Sequence, residues 1–251
     1  MYRRQLLWAG SLWLLGIRQA AALSVSAEEA LLDGLARRLF QHECGGKIEY
    51  LIWWSPHEPF PSLGIAHFIW LPQGVAVPFE QTFPQMVSFV GSAPQWVQTT
   101  HAPWPDRSAF IQEGDSSRLQ ALRQWLWASR REQAAFVLAR FQKRWHQAVP
   151  HLVDAPTLTQ RLQALITTPQ GLFAVIDYFN FKGMGDHPHE RYQTQGWGLI
   201  QVLRHMRTPT LPAFVEAAER VLQRRIRLAP QDERHWWPGW RKRVQSYLEV
   251  I

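Results

Sequence analysis

The residue with the most chemical promise is Glu43. It stands eight residues after Leu35, four after Leu39 and three after Phe40. A helix through this stretch therefore carries it on the same face as the apolar side chains. Gly45-Gly46 follows immediately and stops such a helix. Glu43 then falls in the last turn, where the negative end of the helix dipole opposes a carboxylate. Burial acts in the same direction, against the charged form. A carboxylic acid held protonated is what the leaving oxygen of a glycosidic bond requires. The alternatives are an inward Glu paired with an Arg, or one turned to solvent at a fraying helix end.

A second group of candidates lies far along the chain. Tyr178-Phe179-Asn180-Phe181-Lys182-Gly183 and Gln195-Gly196-Trp197-Gly198-Leu199-Ile200-Gln201 place Tyr, Asn, Gln and Trp at the ends of two expected helices. Clefts that bind sugars use such residues, with planar aromatics against the apolar ring faces and amides on the hydroxyl and N-acetyl groups. Tyr178, Asn180, Gln195, Trp197 and Gln201 are the substrate-binding candidates from these runs. The competing reading makes Trp197, Leu199, Val202 and Leu203 core, with Gln195 and Gln201 capping or bridging.

Cys44 and His67 suggest a thiol–imidazole pair, but a thiol at a helix C-terminus is raised in pKa, which favours a packed side chain. His187-Pro188-His189-Glu190 lacks any usual zinc-ligand spacing, since Pro breaks the helical His-x-x-x-His geometry. It reads as a solvated loop. Metals and cofactors are not expected. Trp236-Trp237-Pro238-Gly239-Trp240-Arg241-Lys242-Arg243 reads as a carbohydrate platform, as an anionic-surface contact, or as tryptophans sealing the C-terminus with solvated basic residues beside them. Arg123, Arg130, Arg131, Arg140, Lys143 and Arg144 read as helix surface. No basic stripe interleaved with base-stacking aromatics is present, so nucleic acid is not an expected partner.

The stretch from about residue 27 to 70 resembles the active-site region of phage-type lysozymes. There a helix-terminal Glu is followed by a β hairpin ending in Thr-hydrophobic-Gly-hydrophobic-Gly-His. Glu43 matches the catalytic acid, Ser62 the hydroxyl residue, and Gly64 and His67 the end of Ser62-Leu63-Gly64-Ile65-Ala66-His67, with Ala66 in place of the second Gly. The resemblance implies a second carboxylate or a Cys nine residues after the acid, a position held here by Ile52. Glu58 is the only acid in the longer hairpin turn and is the candidate for that role. Gly198-Leu199-Ile200-Gln201 is similar to a run found in lytic transglycosylases. The resemblance thus implies a muramidase-like glycoside hydrolase of peptidoglycan, with Glu43, Glu58 and Ser62 catalytic and His67 in the cleft. A single-acid transglycosylase and a non-catalytic glycan binder on a degenerate scaffold are the other two readings. The expected geometry is a Glu43–Ser62 approach bridged by one water, with Glu58 about 6.5–9.5 Å from Glu43, as in an inverting enzyme.

The elements that must position these residues are mostly helical. Ser26-Ala27-Glu28-Glu29 is a capping box opening the Glu43 helix. Ile48 to Trp54 and Leu63 to Trp70 read as two strands around a Pro-rich turn. Beyond them the spacing predicts helices over 83–90, 117–128, 130–148, 157–166, 172–181, 196–206, 213–226 and 241–250. The fold class is therefore α+β, one mainly helical domain over 23–251 with a small β hairpin near its N-terminus, and the resemblance implies that this domain is lysozyme-like.

Composition agrees with a packed protein. Of the 251 residues 46% are hydrophobic and 19% charged, which excludes a disordered chain. One cysteine excludes an internal disulfide. The 14 tryptophans are many for this length, and the net charge of +7 suits polyanionic surroundings. Residues 1–22 have the parts of an export signal: Arg3 and Arg4, the apolar run Leu6 to Leu15, then Ala20-Ala21-Ala22. That run is shorter than the ~20 residues of a membrane span. The expectation is a monomer exported to the periplasm or the extracellular space, with no span after signal removal.

Overall fold

Leu35, Ala36, Leu39 and Phe40 recur at helical spacing, and the helix α1 (Val25–Cys44) buries all four. The computed structural model describes residues 25–249, with the side chains of α1 described from Glu29 onward. The export segment and Ser26 of the capping box lie outside these described residues and side chains. α1 ends as its sequence requires. Gly45 and Gly46 take φ of 59° and 72°, and the Gly46 amide donates to the Phe40 carbonyl at 3.4 Å, closing the last turn.

After α1 the chain forms less strand than expected. Ile48–Leu51 is a short 3-10 helix, and β1 is only Ile52–Trp53. The expected second strand divides in two, β2 (Ser62–Leu63) and β3 (Phe68–Ile69), giving an antiparallel sheet in the order β1-β2-β3. Its register pairs Ile52 with Leu63, Trp53 with Ser62, Ser62 with Ile69 and Leu63 with Phe68. The break has a local cause. Gly64 and His67 have φ of 77° and 50°, so the chain turns sharply where a continuous strand was expected. A Cβ on Gly64 would collide with Gln133 Oε1. That buried amide oxygen accepts the Ile65 N–H at 3.0 Å, completing the turn's hydrogen bonding from another element.

The rest is helical: α2 (Phe83–Val90), α3 (Arg107–Glu113), α4 (Ser117–Ala128), α5 (Arg130–Ala148), α6 (Ala155–Leu165) and α7 (Pro169–Lys182). A second small hairpin, β4 (Arg191–Tyr192) with β5 (Gln195–Gly196), precedes α8 (Leu199–His205), α9 (Leu211–Leu228) and α10 (Trp237–Gln245). α3 and the second hairpin were not expected, and Gly196 belongs to that hairpin and not to α8. Side chains of Asp106, Ser116, Thr168 and Thr210 cap α3, α4, α7 and α9.

α7 is the axis of the body. Its residues Gly171 to Phe179 are all buried, as a helix apolar on every side must be. α1, α5, α6 and α8 pack around it, and α9 packs against α8 and α10. One continuous hydrophobic cluster runs from Leu35 of α1 to Tyr247. Of the arginines expected as helix surface, Arg131 joins α5 to α1 through Asp33 at 2.8 Å, and Arg144 pairs with Asp186 at 2.7 Å. No helix among the described residues is long and apolar enough to cross a membrane.

Candidate functional site

The end of α1, the 3-10 helix and the start of the sheet enclose a cleft of about 290 Å3, lined by Glu43, Cys44, Gly45, Lys47, Tyr50, Trp53 and His67. Glu43 is in it because the apolar face of α1 carries it inward, while the glycine stop leaves its carboxyl at the edge of the body. Its side chain is 14% exposed.

The two oxygens of Glu43 meet different surroundings. Oε1 accepts from Asn180 Nδ2 at 3.1 Å and from Arg243 Nη2 at 2.6 Å. Oε2 faces His67 Nδ1 at 3.6 Å. With two donors already on Oε1, Oε2 on the His67 side is the oxygen left open to a further hydrogen-bond partner. His67 Nε2 lies 3.1 Å from the Tyr50 carbonyl. A carbonyl only accepts, so neutral His67 carries its proton on Nε2 and turns a bare Nδ1 towards Oε2.

Behind Glu43 lies a buried charge network. Asp177 of α7 is fully buried and accepts from Arg243 Nε and Nη2, each at 2.8 Å. It also accepts from the Tyr247 hydroxyl at 2.6 Å, and His42 Nδ1 stands 3.1 Å away. Burial opposes its charge, but the Arg243 guanidinium and His42 outweigh burial and hold the carboxyl well below the usual carboxylate range. Arg243 is held charged in turn: burial disfavours its cation, and Asp177 with Glu43 more than compensates. Arg243 thus links the cleft acid to a buried carboxylate, and one nitrogen, Nη2, touches both. A ring stacked beside it, Phe181, lies 4.3 Å from the guanidinium carbon.

Asn180, expected as a sugar-binding residue, is instead tied to the acid itself, and also donates to the Ala66 carbonyl at 3.3 Å. His67 lines the cleft. Other expected site residues lie elsewhere. Tyr178 is fully buried and donates to the Trp197 carbonyl at 2.8 Å. Burial raises its pKa. Two residues of helix rotation, about 200°, separate the core-facing ring of Tyr178 from the amide of Asn180 that reaches Glu43. Trp197 is also core, 4.5 Å from Tyr192 with Arg225 over its ring at 4.2 Å. Gln195 is exposed on the second hairpin. Gln201 donates to the Gly185 carbonyl at 3.0 Å and lines a separate pocket with His151, Arg191 and Arg204.

Ser62 and Glu58 are both outside the residues that line the Glu43 cleft. Ser62 is the middle of the three-stranded sheet, paired on both sides. Glu58 is exposed on the hairpin turn, with its carbonyl accepting from Trp54 Nε1 at 2.8 Å. Partial cover by that turn raises its carboxyl pKa, with His57 opposing. Glu43 is the only acid among the residues lining the cleft.

Cys44 is the packed thiol expected of it. It is 1% exposed, with the Gly64 carbonyl 3.7 Å and His67 Nε2 3.6 Å away. Burial first, then the neighbouring Glu43, pushes its pKa up to about 12. Among the described residues, no group of three or more His, Cys, Asp or Glu side chains is placed to hold a metal ion.

An inward Glu43 paired with an arginine was one of the alternatives open in the sequence, and Arg243 is that arginine; neither its identity nor the part of Asp177 was expected. Trp240, Val244 and Tyr247 are buried, and Arg243 shares their helical face. That spacing is the signal for an inward arginine, and it corrects the picture of Arg243 as solvated. Comparison of the chain with protein-family models, characterised proteins and solved structures returns no match.

Proposed function

We propose that this protein cleaves an amino-sugar polymer of the cell envelope, peptidoglycan above all, with Glu43 acting alone as acid and then base. The observation that carries this reading is Glu43 itself: an inward acid at a helix end, lining an aromatic-edged cleft, with Oε1 held by Arg243 and Asn180 and Oε2 turned to His67 as the oxygen left for proton transfer. No second carboxyl lines that cleft, so the single-acid route fits better than an inverting pair involving Glu58. In this route Oε2–H protonates the glycosidic oxygen as the C1–O bond breaks. The carboxylate so formed then accepts the proton of the substrate's own 6-hydroxyl as that oxygen bonds to C1, leaving a 1,6-anhydro end and a protonated Glu43. Asn180 and Arg243 hold the carboxyl plane through both steps.

Digestion of purified sacculi with mass spectrometry of the products tests this. Wild-type protein should release fragments with 1,6-anhydro ends. Glu43→Gln should lower the rate at least about a hundredfold while folding normally, since Gln retains an oxygen for Arg243. Reducing ends would overturn the single-acid route in favour of hydrolysis, with Glu58→Gln as the next variant. Retention on sacculi without released fragments would leave the binding reading. An active, folded Glu43→Gln protein would end the assignment of the acid.

A further inference from the structure

Trp53 and Trp236 are the two exposed tryptophans among the described residues, and Trp53 is the one that lines the cleft. Trp54 and Trp104 are 2% exposed and Trp70 is 0% exposed, while Trp53 is 38% exposed. The alternation of β1 explains the direction: Ile52 points into the core and Trp53 to the other face. It does not explain why so large an apolar ring occupies the outward position, at the cleft and beside Glu43.

Its neighbours hold it in place. Tyr50 meets it at 5.0 Å with the ring planes at 82°, a favourable edge-to-face geometry. Tyr50 is anchored in turn, because its carbonyl is the partner of His67 Nε2. Lys47 Nζ lies 5.6 Å from the Tyr50 ring centre and, among the described residues, has no carboxylate partner. The cleft's one acid already contacts Arg243. The uncompensated charge at the mouth is therefore positive, beside a standing aromatic surface.

We propose that Trp53, Tyr50 and Lys47 form a binding subsite next to Glu43 that selects a sugar ring carrying a carboxylate over a neutral one. Trp53 takes the apolar face of the ring and Lys47 reads the negative substituent. The subsite rests on the glycan reading of the cleft, and it is tested by binding without cleavage.

Equilibrium titration in a Glu43→Gln background separates the two ideas. The probes are a peptide-free oligosaccharide of alternating N-acetylglucosamine and N-acetylmuramic acid, and a chitin oligosaccharide of equal length without carboxylates. Trp53→Ala should weaken both about tenfold, and Trp53→Phe should recover most of that loss. Lys47→Ala should weaken only the carboxylated chain, by about two- to fivefold at low salt, and 0.5 M salt should erase the difference. Unchanged affinity in Trp53→Ala, or equal preference for the two chains before and after Lys47→Ala, overturns the subsite. Cleavage by wild-type protein with no such affinity losses would sink the subsite and leave the enzymatic reading standing. The affinity losses without any cleavage would do the reverse.

Discussion

Replacing Arg243 by Met removes a cation that makes three charge-assisted hydrogen bonds, two to Asp177 and one to Glu43. Met keeps much of the aliphatic bulk, so the change reports mainly on charge. Asp177 is 0% exposed and would keep only the Tyr247 hydroxyl and His42. Breaking a buried pair from one side costs about 3–5 kcal/mol, because the remaining charge is stranded. Urea unfolding at pH 7 should show a loss of that size. Asp177→Asn in the same background should restore part of it, giving a coupling of about 2 kcal/mol in the double-mutant cycle.

The pH dependence follows with a definite sign. The folded pKa of Asp177 in the wild type lies below the ordinary value, so its contribution is present above the unfolded pKa of about 3.9 and is lost as pH falls through the folded value. In Arg243→Met the buried Asp177 loses its main compensating charge, and its folded pKa should rise. The variant's deficit should then be smaller at pH 4 than at pH 7. A cost below about 1 kcal/mol, equal at both pH values, would refute the view that Arg243 neutralises a buried carboxylate.

Two further outcomes test the framework of the cleft. Gly64→Ala meets both a left-handed φ of 77° and a Cβ contact with Gln133 Oε1, so it should lower stability by about 1–3 kcal/mol in thermal unfolding; a neutral result would mean the turn is not held as described. Cys44 is 1% exposed with its thiol pushed up to about 12, so a thiol reagent at pH 8 should label it only as fast as the protein opens. Labelling at the rate of a free thiol would contradict that packing.

Much of the helical body was legible without coordinates. Helical periodicity and the Gly, Pro and capping residues mark α2, α4 and α5 at their observed bounds. The same periodicity places Glu43 inward at a helix end. The strand region was harder to read, because β-formers such as Ile48 and Leu51 also suit a 3-10 turn. The sharp turn at Gly64 depends on Gln133 of α5, 68 residues from the Ile65 amide it accepts.

The site divides along the same line. Residue type and spacing alone put an acid inward at the end of α1, while the resemblance to phage-type lysozymes placed it beside the hairpin with His67 in the cleft. Only the tertiary structure decided that Tyr178 and Trp197 are core, that Ser62 and Glu58 lie away from the cleft lining, and that Arg243 closes on Glu43 from 200 residues away. The physical reason is range. Periodicity records which face of an element is apolar, and that follows from neighbours three and four residues apart. A buried charge must find its partner wherever the packing of α1, α7 and α10 brings one, and no local spacing encodes that meeting.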